Sequence, residues 1–276
     1  MTSGTISLDG QTLEYRRIAG PDPGAPTVVF LHEGLGSVSL WRDFPDRFAA
    51  ATGCPALIYS RRGYGRSDPL TPPYRRPNDY LFTEALEVLP ALLDRFGIAE
   101  PILFGHSDGA TIALIHAGGA GRPVRAAIIE APHVFVEPLT LAGIRAAVDS
   151  WHSTALPRKL GRHHRHVEGT FRGWSETWLD PGYHAFNCEH LLPGITCPLL
   201  VIQGEDDHYG STDQVNRVVA QVSGPSAGLF VPRCGHTPHA EQTQVVLDAA
   251  LTFLERNLAR PAAATRPEAA SEIADG

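Results

Sequence analysis

ILFGHSDGATIALIH, residues 102–116, opens with an apolar run, passes through a polar knot between two glycines, and continues as small and apolar residues that read as a helix. The knot, Gly105-His106-Ser107-Asp108-Gly109, matches G-x-S-x-G and lies where a buried strand gives way to a helix, the context in which that pattern carries chemistry. A strand cannot turn so sharply with bulky neighbours. Glycines on either side are expected to let the backbone reverse, lifting the Ser107 hydroxyl clear and aiming the N-terminus of the helix at whatever it attacks.

Outward from the knot, short β-branched or aliphatic runs alternate with longer segments of 3.6-residue period. TVVFLHEG precedes a helical stretch at 40–53, PALIYSRRG precedes one at 78–97, and AAIIEAP and PLLVIQGEDD continue the series. STDQVNRVVAQVSG, AGLFVPRCGH and QTQVVLDAALTFLERNL close it as helix, strand, helix. Strands as continuously apolar as Val28–Leu31 and Ile102–Phe104 need cover on both faces, so the fold class is α/β, a parallel sheet between helices. Residues 5–18 instead alternate about Asp9-Gly10, which predicts an antiparallel hairpin with a type I′ turn. Ser211 with Gln214 fits a capping box, and Gly97 fits a helix C-terminus. Residues 135–196 are too long for a simple crossover and read as an amphipathic helical lid inserted into a core of 1–134 and 197–260. The tail 261–276, PAAATRPEAASEIADG, has little to bury and is expected to be disordered.

Composition narrows the function classes. With 276 residues and 43% apolar content the chain can bury a sizeable core, and a net charge of −7 provides no basic stripe for nucleic acid. Cys54, Cys188, Cys197 and Cys234 stand far apart without a C-x-x-C pair and read as reduced thiols. No apolar run approaches the roughly 18 residues of a membrane helix, and the N-terminus lacks the pattern of a signal peptide, so a cytoplasmic protein with no membrane partner is expected. A homodimer is left open.

A serine hydroxyl attacks only when a base removes its proton, and the base needs a third group to fix its tautomer. The order expected in such a sheet is serine, acid, histidine, each on a loop after a strand. LLVIQGEDD supplies Asp207, with Asp206 as the alternative, and LFVPRCGH supplies His236. Oxyanion donors are assigned to the backbone N–H of Asp108 and to the HEGLGS loop, with Gly34 the best candidate. The Asp108 side chain reads as a helix-capping carboxylate.

These residues resemble the α/β-hydrolase superfamily over about residues 5–258: LHEGLG its oxyanion loop, YSRRGYGRSD its R-G-x-G-x-S segment, GHSDGA its nucleophile elbow, QGEDD its acid loop and CGHTPHAEQ its histidine loop. The resemblance implies an eight-stranded, mostly parallel sheet, a helical lid after the sixth strand, and a Ser107-His236-Asp207 triad that works through an acyl-enzyme without metal or cofactor. Two positions depart from the pattern. Glu33 stands where the family usually has glycine, and Ser60 where an aspartate often stands. Glu33 could repel anionic acids, orient a water, or pair with Arg61 or Arg62, and the ion pair is the favoured reading.

Trp151, Trp174 and Trp178 are candidates to line an aromatic pocket, with Glu33 as a further substrate-binding candidate; gluing the lid to the body is the competing role for the tryptophans. HHRH at 163–166 reads as a solvated face of a lid helix, because adjacent histidines point apart and no acid or cysteine completes a metal site. The expected function is hydrolysis of a small carboxylic ester, with a small-molecule acyl substrate as the partner. Thioesterase, lactonase and C–C hydrolase activities remain open on the same triad, as does a non-catalytic binding protein reusing the fold. Epoxide or haloalkane opening is disfavoured, because those relatives need an aspartate at position 107.

Overall fold

Asp9 and Gly10 take positive φ, 47° and 76°, the backbone that a type I′ turn demands. They join β1 (Thr2–Leu8) to β2 (Gln11–Ile18) as an antiparallel hairpin. The computed structural model describes residues 1–22 and 24–258. The expectation for 261–276 therefore lies outside the described residues.

After the hairpin come β3 (Val28–Leu31), α1 (Phe44–Thr52) and β4 (Ala56–Ser60). A π-helical turn at Glu84–Val88 then links α2 (Tyr80–Thr83) to α3 (Leu89–Phe96), which ends at Gly97 with φ 66°. β5 (Ile102–His106), α4 (Asp108–Gly119) and β6 (Ala126–Glu130) follow. Between β6 and the next strand the chain is largely helical, as α5 (Pro138–Ser153), α6 (Leu156–Leu160), α7 (Val167–Trp178) and two 3₁₀ turns. β7 (Leu199–Gly204), α8 (Thr212–Gln221), β8 (Ser226–Val231), α9 (Pro238–Glu241) and α10 (Thr243–Leu258) complete it.

The eight strands lie in the order β1-β2-β4-β3-β5-β6-β7-β8, parallel except where β2 meets β1 and β4. Alternate side chains feed two cores. Val28, Phe30, Ile58, Phe104 and Ile128 pack under α1 and α10, while Val29, Leu31, Leu57, Leu103 and Ile129 pack under α3, α4 and α8. That double burial is why these strands are apolar throughout, and it fixes β5 rigidly in mid-sheet.

Two local expectations are corrected. Ser211 precedes α8 but makes no side-chain cap. Gln214 turns inward instead: its Oε1 accepts from Val134 N–H at 2.8 Å, and its Nε2 donates to the Phe135 carbonyl and to Glu137 at 3.1 and 2.9 Å. Buried backbone where the chain leaves β6 outcompetes the cap, because a buried N–H without a partner is the larger loss. The 163–166 run is likewise no solvated helix face, since it forms the turn before α7 and His164 is buried. His164 accepts from Gly65 N–H at 3.0 Å and its Nε2 donates to the Leu35 carbonyl at 2.9 Å, tying the turn to the loops after β4 and β3.

Candidate active site

Ser107 holds φ 53° and ψ −116°, a left-handed conformation for a residue with a Cβ. The expectation that the flanking glycines supply the reversal is therefore corrected: the strain sits on the serine, and the glycines serve close approach. A Cβ at Gly105 would press into the backbone of Gly109 and Ala110, and one at Gly109 would collide with the backbone of Leu31 and His32. β3, β5 and α4 can thus converge beneath one hydroxyl.

Asp207 and His236 reach that hydroxyl from the loops after β7 and β8. Ser107 Oγ lies 3.0 Å from His236 Nε2, and His236 Nδ1 lies 2.8 Å from Asp207 Oδ2 and 3.0 Å from Oδ1. An ionised carboxylate can only accept, so Nδ1 carries the proton and Nε2 faces the serine with its lone pair. Burial raises the proton affinity of Asp207, but His236 and the Tyr209 N–H outweigh it and hold the carboxyl down at about 2. Tyr209 N–H and Gln203 Nε2 donate to Asp207 at 2.7 and 2.5 Å and fix its orientation. Asp206, the alternative acid, is exposed and takes no part.

Gly34 and Asp108 both line the cavity around Ser107. As the first helical residue, Asp108 has a backbone N–H without an intrahelical acceptor. Gly34 must be glycine, because a Cβ there would run into the Trp174 indole. The Asp108 side chain caps nothing; it accepts from the Tyr80 hydroxyl at 2.8 Å and lies 3.6 Å from Arg61, all three groups being buried. Arg61 also donates to the backbone carbonyls of His32 and Glu33, so one guanidinium braces the segments on both sides of the serine.

Glu33 corrects the favoured ion pair. Its carboxylate meets neither Arg61 nor Arg62 but lies 3.5 Å from His106 Nδ1, an electrostatic contact longer than a good hydrogen bond. Burial works against ionisation of Glu33, yet the adjacent His106 outweighs it and holds the carboxyl well below the usual range. His106 in turn lies 2.8 Å through Nε2 from the carbonyl of His236, so it supports the histidine loop from behind. At Ser60 the hydroxyl donates to Glu14 at 2.8 Å and accepts from Val38 N–H at 2.9 Å, a structural role.

The cavity has a volume of about 120 Å³. Trp174 and Trp178 line it, as expected, from one face of α7 with Thr140 and Ile144 of α5. Trp151 does not: it stacks on Phe171 at 4.2 Å, outside the cavity, and joins α5 to α7. Among the lining residues missed by sequence reasoning, His133 and Tyr209 stand out, since they lie just past a strand end and the acid loop, where such sheets gather their chemistry.

A model of the alpha/beta hydrolase family matches residues 28–249, from the start of β3 into α10. Serine hydrolase BPHL of Mus musculus is 26% identical over 252 residues, covering 87% of this chain and 81% of the relative. The human protein of the same name is 27% identical, covering 75% and 71%. Among solved structures, an enol-lactonase from Burkholderia xenovorans superposes with a TM-score of 0.71 at 18% identity, covering 91% of this chain and 99% of that one. A proline iminopeptidase from Mycobacterium smegmatis gives 0.71 at 16% identity, covering 93% and 98%. These two share the fold. With the family model spanning the strands from β3 to β8, the serine turn and both loops that meet it, the chain belongs to the alpha/beta hydrolase family.

Proposed function

We propose that the protein is a serine hydrolase cleaving a small carboxylic ester, with Ser107 as nucleophile, His236 as general base and acid, and Asp207 holding the imidazole. The observation that carries this reading is the unbroken relay from Asp207 through His236 to Ser107, at 2.8 and 3.0 Å, opening into a cavity. His236 Nε2 takes the Ser107 proton as Oγ adds to the ester carbonyl, and the backbone N–H of Gly34 and Asp108 receive the negative charge on its oxygen. Collapse expels the alcohol, which leaves with the proton from His236. Water then adds to the acyl-enzyme with His236 again as base, and the acid departs. In this reading, α5, α6 and α7 form a lid over a core of 1–134 and 197–260. Trp174 and Trp178 limit the acyl group to a compact one, in keeping with about 120 Å³ of space.

All four cysteines are unpaired, which favours a reducing compartment such as the cytoplasm. Among the described residues, no helix is long and apolar enough to cross a membrane. The test is turnover of a panel of p-nitrophenyl acyl esters, with thioesters, lactones and a vinylogous diketone run beside them. Short-chain esters are expected to be the best substrates, and Ser107→Ala is expected to abolish turnover while the fold survives. Activity retained in that variant, or confined to a non-ester member, overturns the reading.

A further inference from the structure

We propose that His133 is the specificity-determining residue of this cavity and that it hydrogen-bonds a hydroxyl on a neutral, compact substrate; the assignment rests on the ester-hydrolase reading above. His133 follows β6, lines the cavity with Ser107 and His236, and is 3% exposed. Its backbone is pinned on both sides by Thr111, whose hydroxyl donates to the His133 carbonyl at 2.9 Å and accepts from its N–H at 3.1 Å. The ring packs edge-on to Trp178 at 5.3 Å and lies 5.7 Å from the His236 ring. Among the described residues neither ring nitrogen has a hydrogen-bond partner, and Nδ1 is fully buried without one. Of the other two cavity histidines, His236 is paired through both ring nitrogens, and His106 is paired through Nε2 while its Nδ1 faces the Glu33 carboxylate at 3.5 Å. Buried polar groups in folded proteins are paired almost without exception, so an imidazole fixed in a cavity wall and left open is fitted to something that enters.

The surroundings define what enters. Burial first, then the neighbouring His236, pushes the proton affinity of His133 down to about 3, so the ring is neutral and presents one donor and one acceptor. Nδ1 is sealed from the cavity, so a hydroxyl meets Nε2, donating to it or accepting from it as the tautomer requires. The ionised carboxylate of Glu33 lines the same cavity and disfavours an anion. Trp174, Trp178 and Ile144 are apolar walls, and the Thr140 hydroxyl is already committed to the Tyr209 carbonyl at 2.6 Å. His133 is thus a buried, open polar contact for a hydroxylated ester, and a site built for a hydroxyl rejects the analogue that lacks it.

The test reads binding without turnover, in the Ser107→Ala protein, by ligand-detected NMR titration of two matched amide pairs. Lactamide against propionamide samples a hydroxyl on the acyl side; N-(2-hydroxyethyl)acetamide against N-ethylacetamide samples the alcohol side. At least one hydroxylated member should bind about tenfold tighter than its parent, and the ratio should fall to about one when His133→Phe is added. No preference for either hydroxylated amide, or a preference that survives His133→Phe, overturns the assignment. If His133→Phe fails to fold, the ring-nitrogen shifts of His133 in the Ser107→Ala protein read the same contact: a hydroxylated amide must move them and its parent must not. Hydroxyl preference in a protein that cleaves no ester would overturn the hydrolase reading alone. Ester cleavage without that preference would overturn His133 alone.

Discussion

At Ser107 the positive φ falls on the residue that bears the hydroxyl, although glycines stand two positions away on each side. The strain is held by packing, since Gly105 and Gly109 let β5, α4 and the end of β3 close to distances that no other residue permits. Arg61 is the second point of tension, a fully buried cation shared between Asp108 and two carbonyls of the loop after β3. Asp108→Ala should leave that charge without its carboxylate and destabilise the fold by about 3 kcal/mol. The two carbonyls that remain place this at the low end of such losses, and urea unfolding would measure it; an unchanged midpoint would show that the pair contributes nothing. Ser107, Asp207 and His236 were legible in the sequence because each sits at a fixed offset from a recognisable strand. The partners of Glu33 and Asp108 were not, because a charged side chain chooses among neighbours that only the tertiary fold supplies.

Among elements, α7 divides its work along one buried stripe. Trp174 and Trp178, four residues apart, look into the cavity, while Phe171, a turn earlier on the same side, meets Trp151 of α5 beyond the cavity's end. Trp151→Ala should therefore loosen the α5–α7 contact and lower Tm while leaving KM for a short acyl ester unchanged. A raised KM would put that indole back in the substrate site. Trp174→Ala should enlarge the cavity and shift the kcat/KM ratio of octanoyl over butyryl ester upward by about tenfold or more, since each added methylene in an apolar pocket is worth about 1 kcal/mol. An unaltered ratio would mean the indole does not limit acyl length. That this segment is helical was readable from its length and amphipathic pattern. Which of its tryptophans line the cavity was not, because three aromatic residues on neighbouring helices have no sequence signal for which face meets the sheet.

In the molecule as a whole, the buried histidines make stability one-sided in pH. His32, His116, His133 and His164 are buried, and burial lowers the proton affinity of each, whereas His106 is raised, Glu33 outweighing its burial. Between the folded and unfolded values of such a group the unfolded chain binds the proton that the native state refuses, so stability rises with pH. It should be complete above the ordinary histidine range near pH 6.5 and fall on acidification, by at most about 1.4 kcal/mol per pH unit for each group. Thermal melts from pH 7 to pH 5 should show a falling Tm, shallower in His133→Phe; a flat profile would contradict the burial of neutral histidines. Below about pH 4 the depressed carboxyls of Asp207 and Glu33 add to the loss. The sheet, its hairpin and the order of its helices were legible because apolar runs buried on two faces leave little else for the chain to do. The buried polar layer beneath the serine was not, since it is assembled from residues as far apart as Arg61, Tyr80 and Asp108.

The central claim is that Ser107 is made nucleophilic by His236. Treating the protein with a fluorophosphonate and mapping the adduct by peptide mass spectrometry tests it most directly. A single adduct on Ser107, abolished in Ser107→Ala and slowed at least a hundredfold in His236→Ala, is the predicted result; an unlabelled Ser107, or labelling indifferent to His236, would contradict it.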